Sequence, residues 1–190
     1  LVRSGLVEVR RGIGTFVAPD KVTFGLRYLS SFSQDALMHG LTPHVQLLTQ
    51  ELEVPPHQIA ERLRLAPDER AVHLVRLRFY DETPAAIDES YLPASLCPGL
   101  EDEDVVTQSL YDLLETRHGL ALDHATQTLE AVPATAFEAR LLHISVKAPV
   151  ALLRGITFLA DGRPIENFKV AYRGDRLRFE LQTTRLHKKG

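Results

Sequence analysis

Tryptophan is absent from the 190 residues, and cysteine and methionine occur once each. The lone Cys97 excludes an intramolecular disulfide framework and any zinc cage with several cysteine ligands, and it fits a reducing cytoplasm. No apolar run approaches the ~18–20 residues of a membrane span. No signal-peptide pattern opens the sequence, so no membrane partner is expected. A strong charge of one sign is lacking too: 22 Lys and Arg stand against 25 Asp and Glu, a formal −3. That balance argues against a uniformly basic nucleic-acid binder. What is present, 44% hydrophobic and 25% charged residues, is the composition of a soluble globular protein. Its length suits one sizeable core and hardly two large domains.

The overall balance hides a gradient. Residues 1–21 carry four basic and two acidic groups, and residues 173–190 carry six and two. The stretch 22–172 carries 12 against 21. An acidic body with basic ends fits an attached nucleic-acid-binding element. The C-terminal end (Arg185, His187, Lys188, Lys189) reads as a frayed, solvated tail.

The body contains an internal repeat. Thr49-Gln50-Glu51-Leu52-Glu53 recurs as Thr126-Gln127-Thr128-Leu129-Glu130, and a proline follows each, Pro55 and Pro133. Arg62-Leu63 recurs as Arg140-Leu141, Val72-x-Leu74-x-Arg76 as Val150-x-Leu152-x-Arg154, and Asp81-x-x-Pro84 as Asp161-x-x-Pro164. The offset drifts from 77 to 80. The last step, from 78 to 80, is a two-residue insertion that preserves the inward and outward parity of a strand. The unit reads as strand (49–54), short helix (56–65), strand (72–80), tight turn and strand (85–92). The second copy reads as 125–132, 134–142, 150–160 and 165–172. Hairpin-linked strands imply antiparallel pairing, so the expected fold is α+β: one antiparallel sheet built by two units about a pseudo-twofold, with one binding crevice. Helices over 31–39 and 106–118 and a closing strand over 176–182 complete it.

Arg76 and Arg78 lie two apart on one strand, so both point to the face of Val72 and Leu74. Two guanidiniums on a partly apolar face need an anionic partner from the protein or a ligand. A two-residue loop at Glu82-Thr83 would set Glu89 opposite Arg76 and Ile87 opposite Arg78. A solvated face, or ion pairs to Glu166 or the acidic loop 101–104, would serve the arginines as well.

Two short alternating runs open the chain, Leu6–Arg10 and Thr15–Ala18, joined by Arg11-Gly12-Ile13-Gly14, which is a hairpin signal. Leu1–Gly5 reads as the last turn of a helix stopped by glycine, so the expectation is a chain that starts inside a domain. "LVRSGLVEVRRGIGTFVAP" resembles the end of the winged helix-turn-helix of GntR-type bacterial transcription regulators. The resemblance implies DNA contact by Arg10, Arg11 and Gly12 at a wing tip.

From about residue 30 to 185 the chain is similar to the UTRA effector-binding domain of HutC-type GntR regulators, which has a chorismate-lyase-like fold. The motifs are "SFSQDALMHGLTP", "VRLRFYDETPAAIDESYLP", "QSLYDLLETRHGL", "QTLEAV" and "DGRPIENFKVAYRGDRLRF". In relatives that bind phosphorylated sugars, the R-x-R pair and an S-x-Y at a helix start hold the phosphate. The resemblance therefore implies Arg76, Arg78, Ser109 and Tyr111 for the phosphate, with Glu89, Glu166 and Tyr172 reading hydroxyl or amino groups. Ser31, Phe32 and Ser33 belong to a segment that closes over the effector. Two arginines and a hydroxyl supply charge-assisted donors to a dianion. Ser109 serves equally as an N-cap alone, and Tyr172 equally as a packed strand residue.

The implied organisation is residues 1–19 as a remnant of the winged-helix domain, 20–29 as a linker, and 30–190 as the effector domain. The implied partners are a small anionic metabolite, a second copy in a homodimer, and operator DNA for the intact protein, with weak or no DNA binding by these residues alone. No cofactor is expected. No metal is expected either, because the eight histidines never show the i, i+4 spacing of a helical zinc pair. Arg173-Gly174-Asp175-Arg176 reads as a turn with an internal ion pair. The serines lack a Gly-x-Ser-x-Gly elbow. A lyase-type enzyme on the same fold is the alternative, since fold does not fix function, but an enzyme has no use for a wing.

Overall fold

In the computed structural model, residues 7–10, 12, 14–17, 21–25 and 36–181 are described. The expected last helical turn at Leu1–Gly5 and the tail beyond Leu181 lie outside them. Val7–Arg10 (β1) and Gly14–Val17 (β2) pair as the antiparallel hairpin that the glycine spacing implies. Gly12 sits exposed in its turn at φ +79°, a left-handed conformation that glycine adopts without strain. Within the stretch read as a linker, Val22–Gly25 is a strand (β3), parallel to Leu177–Glu180 (β10).

The body is a six-stranded antiparallel sheet. Its strands are Pro43–Glu53 (β4), Ala71–Tyr80 (β5), Thr83–Pro93 (β6), Leu122–Pro133 (β7), Pro149–Leu159 (β8) and Pro164–Arg173 (β9). Their spatial order is β4-β5-β6-β9-β8-β7, two mirrored halves that meet at β6 and β9. The helices are His57–Leu63 (α1), Leu110–Thr116 (α2) and Ala136–Leu141 (α3), each shorter than its sequence pattern. Caps explain the trimming. The Ser109 side chain accepts from Asp112 N to start α2. A capping box between Thr135 and Glu138 starts α3. Of the helix expected over 31–39, the described part is helical at 36–38.

Both faces of the sheet are covered. On one, Val72, Leu74 and Leu92 pack with Leu113 and Leu114 of α2, Cys97 and Leu100. On the other, α3 packs through Ala139 and Leu142 on Leu77, Ile87 and Val150, and α1 through Leu63 on Ala71 and Tyr91. These are called below the α2 face and the α1/α3 face.

Two register expectations are corrected. The first hairpin turns at Asp81-Glu82, because Tyr80 pairs with Thr83. A bulge then follows between Arg78 and Phe79, so Arg76 faces Asp88 and Arg78 faces Ala86. Moving the loop by one residue preserves parity; the bulge adds one residue and flips it. Glu89 therefore lies on the α1/α3 face, opposite Val75 and Lys169.

The second correction concerns the repeat. The hairpin β8–β9 has its bulge between Thr157 and Phe158, with Phe158 opposite Pro164 as Phe79 is opposite Pro84. Matching those bulges equates Arg78 with Thr157 and Arg76 with Gly155. The repeated Val-x-Leu-x-Arg is thus one residue out of structural step: Arg154, opposite Lys169, lies on the face away from Arg76.

Candidate functional site

The charged centre of the α2 face is built from both halves. Arg76 is buried at 3% exposure, and its Nε and Nη2 donate to Asp88 Oδ2 at 2.9 and 2.6 Å. Arg78 donates from Nε to Asp88 Oδ1 at 2.5 Å and from Nη2 to Oδ2 at 3.1 Å. One buried carboxylate thus holds two guanidiniums side by side. Burial raises the Asp88 pKa, but the charges and hydrogen bonds of Arg76 and Arg78 outweigh it and hold the carboxyl below its ordinary value. For Arg76, burial and then the like charge of Arg78 win, so its pKa is lowered. For Arg78, burial lowers the pKa, but Asp88 outweighs it and the net shift is upward. Arg76 Nη1 has no hydrogen-bond partner among the described residues.

Beside this cluster stands Glu166, buried at 3% exposure. Ser90 Oγ donates to its Oε1 at 2.6 Å, and Tyr111 OH and Thr157 Oγ1 donate to Oε2 at 2.9 and 3.0 Å. Burial and then the Glu166 charge push the Tyr111 phenol well above its ordinary pKa. Glu166 also attracts both arginines, and Tyr172 interacts with Arg78 while its ring meets Phe179 edge-on at 5.3 Å. The two halves contribute different chemistry. The position equivalent to Arg76 is Gly155, where a Cβ would come within 2.5 Å of the Phe168 ring. Phe168 itself occupies the place equivalent to Asp88, so the second half is apolar where the first is ionic.

The structure therefore gathers Arg76, Arg78, Tyr111, Glu166 and Tyr172 on one face. It places Glu89 on the other, where it meets His73 at 3.3 Å and Lys169 at 3.6 Å. The hydrogen bond from His73 leads the effects that hold Glu89 below its usual value. Ser109 caps α2, one residue before the Tyr111 helix begins. Ser31, Phe32, Ser33, Arg11 and the Arg10 side chain lie outside the described residues. The reasoning from sequence missed Asp88, Ser90 and Thr157. Asp88 and Ser90 alternate with Leu92 along β6, which would have marked them once the bulge was counted. Among the described residues, no group of histidines, cysteines and carboxylates could hold a metal ion.

A buried ionic cluster thus lies at the meeting line of a duplicated antiparallel sheet, and comparisons with known proteins give the class of such a module. The family model for the UTRA domain matches residues 38–178, and the chain belongs to that family. It is 34% identical over 186 residues to the HTH-type transcriptional repressor NagR of Bacillus subtilis, covering 98% of this chain and 76% of NagR. It is 27% identical to the repressor MngR of Escherichia coli, covering 95% and 75%. The crystal structure of PhnF from Mycobacterium smegmatis superposes with a TM-score of 0.82 at 28% identity, over 99% of this chain and 81% of PhnF. Its relatives are transcription regulators of the GntR class, and the chain is not an enzyme. Among the described residues, no helix is long and apolar enough to cross a membrane.

Proposed function

We propose that the chain is the effector-sensing part of a bacterial transcriptional repressor, and that a small anionic metabolite binds on the α2 face beside Arg76 and Arg78. The observation that carries this reading is the pair of guanidiniums held around one carboxylate. The triad of Arg76, Arg78 and Asp88 carries one net positive charge, which buried Glu166 beside it offsets, and Arg76 keeps an uncommitted donor for an anionic group. A phosphorylated sugar or amino sugar suits the surroundings, since Tyr111, Tyr172, Ser90 and Glu166 are hydroxyl and carboxylate partners for a polyol. The names of two relatives support the class: one is a mannosyl-D-glycerate transport/metabolism system repressor and another a probable fructoselysine utilization operon repressor. In this reading Ser31, Phe32 and Ser33 close over the effector and Ser109 stands near its phosphate.

Residues 1–19 are then the remnant of a winged helix, with Arg10, Arg11 and Gly12 toward DNA; 20–29 is a linker and 30–190 the effector domain. Two copies pair in the cytoplasm. The effector changes DNA affinity by the difference in its affinity for two arrangements of the pair. A thermal-shift panel of sugar phosphates, carboxylates, amino acids and neutral sugars tests the site. At roughly 100 times its Kd, a true effector adds roughly 2.7 kcal/mol. Arg76→Ala should abolish the shift given by the anion, whereas Glu89→Gln, on the other face, should leave it. A shift by neutral sugars alone, or one that survives Arg76→Ala, overturns the assignment. Gel-shift titration should find poor operator binding by these 190 residues; tight, sequence-specific binding refutes the remnant reading.

A further inference from the structure

The sheet ends at two strands that pair on one side only, β4 and β7. An open strand edge is a template for another strand unless some irregularity spoils it. β4 has such an irregularity near its middle, the bulge between Leu47 and Thr49, and its Gln50 side chain is drawn to the carbonyls of Leu100 and Glu103 at 2.8 Å each. In β7 the bulge lies at the start, between Leu122 and His124, and from His124 to Pro133 the strand runs in unbroken register with β8. Residues 126–131 are all exposed, Leu129 among them at 39%. Among the described residues, no strand pairs with this outer edge.

The edge carries a definite set of backbone groups. Ala134 N donates to Ala148 O at 2.8 Å just beyond the strand, and Thr126 O lies where a Cβ on Gly155 of β8 would come within 2.6 Å. Even-numbered residues therefore turn their amides to β8. By alternation Ala125, Gln127, Leu129 and Ala131 turn theirs outward. Pro133, the odd-numbered position with no N–H to offer, comes only after these. Side chains follow the same alternation: Thr128 lies opposite Arg154, on the α1/α3 face, so Gln127 and Leu129 lie on the α2 face.

We propose that β7 pairs antiparallel with β7 of a second copy, about a twofold at Gln127, so that one sheet runs through both. This rests on the pairing of copies stated above and gives that pairing its surface. A twofold between antiparallel strands stands perpendicular to the sheet, so partners share a face and only odd–odd or even–even registers are open. Centring on Gln127 sets Leu129 opposite Ala125 on the α2 face. It sets Thr128 opposite Thr126 and Glu130 opposite His124 on the α1/α3 face. His124 engages Asp123 through Nδ1 at 2.8 Å, which leaves Nε2 for Glu130 of the second copy. Arg154, 3.3 Å from Glu130, completes a row in which two carboxylates alternate with His124 and Arg154. Centring on Thr126 instead runs Leu129 and Glu130 into the bulge, and centring on Thr128 sets His124 opposite Val132 and Leu129 opposite Gln127. Of the three registers, the one at Gln127 matches apolar, hydroxyl and charged residues together.

The test is sedimentation velocity of the whole chain combined with disulfide trapping. Gln127→Cys sits on the axis and should cross-link to its own copy on mild oxidation, whereas Glu51→Cys, exposed on β4, should not. The native Cys97 is buried and does not compete. Gln127→Pro removes an outward N–H from each copy without touching the β8 ladder, and should turn the dimer into a monomer with its strand circular dichroism intact. His124→Glu sets carboxylates against each other at both ends and should weaken the dimer about tenfold; Glu130→Lys added to it should restore the affinity. A monomeric wild type overturns both the pairing and this surface. A dimer that survives Gln127→Pro, or that traps through Glu51→Cys and not through Gln127→Cys, overturns the surface and leaves the pairing standing. An unchanged dimer in His124→Glu overturns the register.

Discussion

At the scale of single residues, Asp88 organises the charged centre, because one carboxylate separates two buried guanidiniums that would otherwise repel. Asp88→Asn leaves both arginines without their counter-charge and should destabilise the fold by roughly 3–5 kcal/mol, read from urea unfolding. The pH dependence has a definite sign. Asp88's folded pKa is depressed, so its contribution is fully present above the unfolded value of about 3.9 and is lost as pH falls through the folded value. Wild-type stability should therefore decline as pH drops below about 4, and the decline should flatten in Asp88→Asn. Added phosphate should restore more stability to this variant than to the wild type, since the anion supplies the counter-charge that the amide lacks. That the arginines share a face was legible from their two-residue spacing. That Asp88 and not Glu89 meets them was not, because both are acidic neighbours in one strand. Only the bulge beside Ala85 decides which of them turns inward.

At the scale of elements, the duplication was visible in repeated prolines, leucines and turn residues, and each of the six strands of the sheet overlaps a run read from the sequence. Boundaries were less legible. β4 begins at Pro43 rather than near Thr49, since a bulge between Leu47 and Thr49 interrupts the alternation that would mark its first half. The step between the halves was also hidden. Val-x-Leu-x-Arg repeats in sequence, yet Arg76 lies three residues before its bulge at Phe79 and Arg154 four before Phe158, and that extra strand residue sends Arg154 to the other face. The helices are short, and their caps carry a large share of their definition. Thr135→Ala removes the bond from Glu138 N to the Thr135 hydroxyl and leaves the Thr135 amide still donating to Glu138. It should cost about 1 kcal/mol, seen as a lowered melting temperature, with the α2 face undisturbed in binding assays.

At the scale of the whole molecule, the strand β3, read from sequence as featureless connector, is held against the final strand β10. Nothing local in Val22-Thr23-Phe24-Gly25 announces this, because parallel pairing with residues some 150 positions away depends on how the rest of the chain is folded. Removing residues 177–190 deletes the partner of β3. Amide exchange at 22–25 should then accelerate strongly, while exchange in β5 and β6 stays slow. Unchanged exchange at 22–25 would show that the pairing contributes nothing.

The direction of that pairing has a mechanical consequence. β3 and β10 run parallel, with Val22 beside Leu177 at one end and Gly25 beside Glu180 at the other. Tension between the N-terminal hairpin and the sheet enters both strands at the Val22 end, so it peels the rungs one after another instead of shearing them together. The first bonds to carry load are Lys21 Nζ to Gly174 O at 2.7 Å and Val22 N to Arg176 O at 2.9 Å. A joint loaded this way is a zipper with its tab at Lys21: it holds at rest and opens under a small, directed pull.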